Sequence, residues 1–296
     1  MDFSRFETIT VDVGNGVSLL AKVAGSGQPL LLLHGYPQNH MCWHKVAPAL
    51  VEAGYRVVVP DLRGYGGSSK PASDKAHSPY AKRAMAGDQL ALMQALGHER
   101  FLLAGHDRGG RVAHRLAVDH PHAVHKLAVL DIAPTLAMYE GTDQAFATSY
   151  YHWFFLIQPE PLPEKMIGAD PEWYLRRKIG SWARIEGTFT DAAMASYVAD
   201  FAKPETIHAT CEDYRAAASI DLDHARADIA AGRMIECPVL ALWGGQGFAA
   251  KSYDILALWR DVARGPVIGE ALDCGHFLPE ELPDETTRAL TDFFGN

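Results

Sequence analysis

Cysteine is scarce. Cys42, Cys211, Cys237 and Cys274 are scattered through 296 residues with no C-x-x-C pair, so neither a disulfide framework nor a cysteine-based metal site organises the chain. Such thiols are expected to be reduced, which points to a cytoplasmic address. The lack of any Asn-x-Ser/Thr acceptor agrees with that address. No apolar run approaches the roughly 18 residues of a membrane span, and residues 1–7 contain acidic side chains and no apolar targeting core. Blocks of Lys and Arg are also missing, and the formal charge is −9. A field of that sign repels polyphosphates, so nucleic acid is not an expected partner. There is no P-loop. Gly64-Tyr65-Gly66-Gly67 is not a dinucleotide fingerprint, and His120-x-His122-x-x-His125, interrupted by Pro121, is no zinc spacing. Neither a cofactor nor a metal is expected.

Hydrophobic residues make up 48% and charged residues 21% of the chain, the balance of a globular protein with a sizeable core. Four apolar runs each stop at a turn: Leu30-Leu31-Leu32-Leu33 at His34-Gly35, Arg56-Val57-Val58-Val59 at Pro60-Asp61, Phe101-Leu102-Leu103-Ala104 at Gly105, and Leu127-Ala128-Val129-Leu130 at Asp131. They suit strands buried on both faces of a parallel sheet. Helical patterns over 46–53 and 80–96 lie between them, the second ending at Gly97. Residues 135–219 then lose the β-branched runs and read as helices, with a Pro-rich turn at 159–163. Strands return at 238–243 and 265–269, and a helix over 285–294 closes the chain. The expected fold is α/β, a mostly parallel sheet flanked by helices, with core segments 1–135 and 221–296 around a helical cap at 136–220.

Gly105-His106-Asp107-Arg108-Gly109-Gly110 follows a strand and precedes a helical run over 111–120. A G-x-nucleophile-x-G turn at that junction is a nucleophile elbow, and here the raised side chain is the carboxylate of Asp107. Such a nucleophile displaces a leaving group at an sp³ carbon or opens a strained ring, and the resulting ester must then be hydrolysed. In that chain order the base comes last, at His276 in Asp273-Cys274-Gly275-His276-Phe277. The orienting acid has two topological seats. One follows Trp243, where Gly247 stands in a loop that often carries Asp; the other follows Leu130, where Asp131 stands and is preferred. An oxyanion hole is expected from the N–H of Arg108 and one from the His34-Gly35-Tyr36-Pro37 loop, so Gly35 and Tyr36 join the candidates.

The H-G-Y-P turn, D-L-R-G-Y-G-G-S at residues 61–68, G-H-D-R-G-G-R and D-C-G-H-F together resemble the α/β-hydrolases of the dehalogenase and epoxide-hydrolase group. Within that group the resemblance is to the fluoroacetate (haloacetate) dehalogenases, along essentially the whole chain. It implies that Arg108 and Arg111 bind a substrate carboxylate and that His152, Trp153 and Tyr214 hold the departing halide. The arginines make independent sense, since an acidic protein needs a local positive site for a small anion and Arg recognises carboxylates well. Tyr36 and Trp182 are further cleft residues.

The reaction implied is hydrolysis of fluoroacetate to glycolate and fluoride through an ester on Asp107. The alternatives are epoxide hydrolysis, dehalogenation limited to chloro and bromo substrates, or a fold that only binds a small molecule. The resemblance also implies a homodimer.

Overall fold

The computed structural model describes residues 3–295; Met1 and Asp2, at the head of the segment read for a targeting core, and Asn296 lie outside them. Eight strands form one sheet: β1 Glu7–Gly14, β2 Val17–Ala24, β3 Gln28–Leu33, β4 Tyr55–Pro60, β5 Phe101–His106, β6 Val124–Leu130, β7 Val239–Gly244 and β8 Val267–Leu272. Their order is β1-β2-β4-β3-β5-β6-β7-β8. The first two pairings are antiparallel and the rest parallel.

The apolar runs are strands for the expected reason. Along β3, Leu31 and Leu33 enter one apolar cluster while Leu30 and Leu32 enter the other, so successive side chains feed opposite faces. Each fully buried leucine contributes about 1.5–3 kcal/mol. One cluster lies under α2 Lys82–Ala95 and α3 Arg108–Asp119; the other lies under α1 Ala47–Glu52 and α15 Pro283–Gly295. No described helix is long and apolar enough to cross a membrane. All four cysteines are free.

Several boundaries differ from the sequence reading. The β1–β2 hairpin precedes the first apolar run; its strands alternate instead of running apolar, and its turn is Asn15-Gly16, both at positive φ. The helix after the elbow starts at Arg108, so both arginines lie on its first turn. The last strand runs over 267–272 instead of 265–269, because Gly265-Pro266 forms its approach.

Between β6 and β7 come eight helices: α4 Thr135–Glu140, α5 Gln144–Ser149, α6 Tyr151–Leu156, α7 Leu162–Gly168, α8 Pro171–Trp182, α9 Asp191–Phe201, α10 Pro204–Ala217 and α11 Ile220–Ala231. The helical stretch therefore continues beyond residue 219. After β7 come α12 Phe248–Ser252 and α13 Ile255–Arg260, and after β8 the single turn α14 Leu278–Glu281. The carboxyl ends of β3, β5, β6 and β7 and the loop after β8 all open on one edge of the sheet, where ligands of parallel α/β folds bind.

Candidate active site

Asp107 joins β5 to α3 at φ 47°, ψ −117°, a conformation that costs a residue with a side chain about 1–3 kcal/mol. Its carboxylate makes no capping bond to α3, so the strained turn lifts the side chain away from the helix it precedes. Oδ1 accepts the Tyr36 N–H at 2.8 Å, and Oδ2 lies 3.9 Å from His276 Nε2. Close approach demands glycine on both sides: a Cβ at Gly109 would stand 2.3 Å from the His34 carbonyl oxygen, and one at Gly35 2.4 Å from Asp107 Cβ. Burial pushes the Asp107 carboxyl up, but the neighbouring His276, His106, Arg108 and Arg111 more than offset this and hold it below the usual carboxylate range. It is ionised at neutral pH.

His276 is fixed at three points. Its N–H donates to the Trp182 carbonyl at 3.2 Å. Its carbonyl accepts from His106 Nε2 at 2.8 Å, which places the His106 proton on Nε2. Its Nδ1 meets Asp131 Oδ2 at 2.5 Å, so Nε2 faces Asp107 without a hydrogen-bond partner. The other Asp131 oxygen accepts the Gly244 N–H at 2.9 Å, and Asp131 is itself at φ 52°. Burial lowers the pKa of His276, yet the hydrogen bond and charge of Asp131 outweigh it and raise the imidazole above its ordinary value. The two candidate seats for the acid converge in space, since a Cβ on Gly247 would lie 4.0 Å from Asp131 Oδ1.

The loop after β3 supplies its donor from Tyr36, while Gly35 contributes the room that lets Asp107 in. His34 braces this loop: Nδ1 bonds the Gly35 carbonyl at 3.0 Å and Nε2 accepts the Leu62 N–H at 3.0 Å. The segment 61–68 is thus a support for the site. Its Tyr65 hydroxyl donates to Asp213 Oδ2 at 2.7 Å.

Above the carboxylate stand the charged and aromatic residues. The fork of Arg108 is largely engaged: Nε reaches Asp213 Oδ2 at 3.0 Å, and Nη2 reaches Asp213 Oδ1 at 2.7 Å and the Asp213 carbonyl at 2.9 Å. Lys82 Nζ binds the same carboxylate. Arg111 Nη1 donates to the Ala133 carbonyl at 3.1 Å and Thr135 Oγ1 at 2.7 Å. The guanidinium of Arg108 lies 4.2 Å over the Tyr214 ring and that of Arg111 4.7 Å over Trp153. Tyr214 packs edge-on to His152 at 5.7 Å and to Tyr36 at 5.3 Å, whereas Trp153 joins the group through Arg111. Burial first, then the charges of Lys178, His276 and the two arginines, hold His152 far below its ordinary pKa and so neutral. Trp182 lies between the two histidines, 4.8 Å from the His152 ring and 5.1 Å from His276.

Buried polar atoms normally find partners. Here Arg108 Nη1, Arg111 Nε, His152 Nδ1, Tyr214 Oη and His276 Nε2 are all buried with no partner among the described residues. Five residues singled out from sequence each retain an unused polar atom.

Residues 28–281 match the model of the α/β hydrolase fold. The chain belongs to the α/β hydrolase family. This α/β hydrolase is 44% identical to a fluoroacetate dehalogenase of Burkholderia sp, over 99% of this chain and 95% of that one. It is 34% identical to a soluble epoxide hydrolase of Corynebacterium sp. (strain C12), over 95% and 94%. A crystal structure of a provisionally named α/β hydrolase from Nostoc sp PCC 7120 superposes with a TM-score of 0.96 at 55% identity, covering 99% of both chains.

Sequence reasoning missed the Asp213–Lys82–Tyr65 cluster behind Arg108. The available signal was Glu212-Asp213 in a helix whose residues 209–217 are all buried, because a buried acid needs a cation close by.

Proposed function

We propose that this α/β hydrolase cleaves the carbon–halogen bond of haloacetates, turning fluoroacetate and water into glycolate, fluoride and a proton. What carries the reading is the set of unpartnered polar atoms above an ionised nucleophile: two arginine N–H groups suited to a carboxylate, and a neutral imidazole and a phenol suited to a halide. The similarity to a fluoroacetate dehalogenase supports it.

In the first step the substrate carboxylate docks on Arg108 and Arg111. Asp107 Oδ2, the oxygen without a backbone donor, forms a bond to the α-carbon as the carbon–halogen bond breaks, and the halide leaves with the electron pair toward His152, Trp153 and Tyr214. Oδ1 remains on the Tyr36 N–H and becomes the carbonyl oxygen of the ester. In the second step His276 Nε2 takes a proton from water, and the hydroxide adds to Cγ of Asp107. The oxyanion is stabilised by the N–H groups of Tyr36 and Arg108, the latter unpaired within α3 because it opens the helix. Collapse expels glycolate, which takes the proton from the imidazole, and the acid left on Asp107 releases its proton to restore the carboxylate.

Fluoride and chloride release from fluoroacetate and chloroacetate, monitored by ion-selective electrode, tests this. Both ions are expected, with Asp107→Asn lowering release by at least ~10³-fold. Chloride alone would restrict the enzyme to the weaker carbon–halogen bonds. The unpaired Tyr214 hydroxyl could also donate to an epoxide oxygen, so turnover of a neutral epoxide with no halide release would replace this function with epoxide hydrolysis. The same reading takes residues 136–220 as a cap over a core of 1–135 and 221–296, and the enzyme as a cytoplasmic homodimer.

A further inference from the structure

Glu281 closes the single turn α14, five residues after the base, and is buried. Its carboxylate has no cationic partner among the described residues and instead collects four backbone N–H groups. Oε1 accepts from Phe277 at 2.9 Å. Oε2 accepts from Gly275 at 2.9 Å, Arg184 at 2.8 Å and Ile185 at 3.2 Å. Gly275 and Phe277 are the two chain neighbours of His276. Arg184 and Ile185 come just after Trp182, whose carbonyl holds the His276 N–H. One side chain thus grips the peptides on both sides of the base and ties them to the segment that leaves α8.

Hydrogen bonds to a charged acceptor are about twice as strong as neutral ones, and burial makes each costly to leave unmade. A cation on Glu281 would compete for these lone pairs; backbone donors fix the loop itself. Gly275 is where the clamp is tightest: a Cβ there would stand 2.3 Å from the Trp182 oxygen and 2.9 Å from Glu281 Oε1.

We propose that Glu281 is a positioning residue for His276, holding the base in register with the Trp182 segment so that it serves ester hydrolysis. This rests on the proposed two-step reaction, in which His276 acts only in the second step. A residue acting solely through His276 therefore spares halide expulsion and slows hydrolysis of the ester. A residue needed only for general integrity depresses both.

The test is rapid-mix halide release from chloroacetate with Glu281→Gln, which replaces one acceptor oxygen with a donor facing N–H groups. The expected result is a burst of about one halide per site at near wild-type rate, then turnover slower by roughly 10²-fold, the scale of a misplaced catalytic group. The peptide containing Asp107 should carry the ester adduct. Equal loss in burst and steady state, or no change in either, overturns the role. Should Glu281→Gln fail to fold, Glu281→Asp, which keeps the charge and withdraws it by one methylene, is judged by the same two rates. His276→Asn is the control: if it accumulates no ester, the two-step reaction itself has failed, a result separable from failure of Glu281.

Discussion

The two halves of the site are built differently. Asp107 and Asp131 sit at strand ends and His276 on the loop after β8, and the backbone does most of the holding: positive φ at both aspartates, and main-chain partners for Asp107 Oδ1, Asp131 Oδ1 and the His276 N–H, while the His276 carbonyl takes its bond from the His106 side chain. The anion half is built on helix faces and held chiefly by side chains, the Asp213 and Ala133 carbonyls adding one bond each to Arg108 and Arg111. Asp213 grips Arg108, Thr135 shares Arg111, and the aromatic rings of Tyr214 and Trp153 lie against the guanidinium groups. Backbone-fixed geometry survives most side-chain changes except to the reacting groups themselves. Geometry fixed by side chains depends on partners far along the chain, and this is where selectivity can be altered without destroying the chemistry.

Substitutions sharpen the contrast in descending order of effect. Asp131→Asn keeps the shape of the backbone half but removes the charge and acceptor that orient His276, and the expected loss in turnover is about 10²–10⁴-fold. The imidazole must be neutral to accept a proton. Because Asp131 raises its pKa above the ordinary value, the acid limb of the wild-type pH profile is expected at higher pH than that of an unperturbed imidazole. The variant loses the largest raising influences and keeps only the smaller ones of Asp107 and Glu281 against the lowering by burial, so the limb should move to lower pH. A limb that stays put would show that another group sets it.

Asp213→Asn addresses the other half. It leaves Lys82 and Arg108 buried with no carboxylate between them, a destabilisation of about 3–5 kcal/mol by precedent for broken buried pairs, readable as a fall in Tm. With Arg108 no longer held, KM for chloroacetate should rise roughly tenfold, about 1.4 kcal/mol, while the halide burst at saturation persists. A collapse in burst with KM unchanged would place Asp213 on the chemical step instead. The smallest expected effect is that of Tyr214→Phe. It removes one donor to the leaving anion, worth about 1.5–3 kcal/mol when charge is involved. Fluoride release should suffer more than chloride release, because fluoride concentrates its charge and depends more on donors. Equal losses for both ions would make Tyr214 a packing residue.

The same division governs what could be read from the sequence. The elbow is contiguous, so Gly105 through Gly110 announce Asp107 and its turn. The glycines have local steric reasons, and the strands around them are uninterrupted apolar runs. The hairpin at β1–β2 was missed because its half-exposed strands interleave polar with apolar residues instead of forming apolar runs, and Asn15-Gly16 was the only firm mark. The helix start at Arg108 was missed because strain at Asp107 releases the chain into a helix sooner than the run of Val112 to Val118 suggests. Asp213 lies 105 residues from Arg108, and Glu281 96 and 97 residues from two of its donors. No local pattern encodes such distances; a buried charge shows only that a partner exists, not which one.

The near-meeting of Gly247 and Asp131 has an evolutionary side. The edge of the sheet offers two chairs for one carboxylate, and a Cβ in the empty chair would be 4.0 Å from the occupant's oxygen. Gly247 has ordinary extended backbone, so its smallness answers no conformational demand. A second acid there would crowd like charges against Asp131, whereas an acid gained at 247 as one is lost at 131 would leave the histidine served throughout. A lineage can therefore move its catalytic acid from one strand to the next without ever abandoning the place in space where it works.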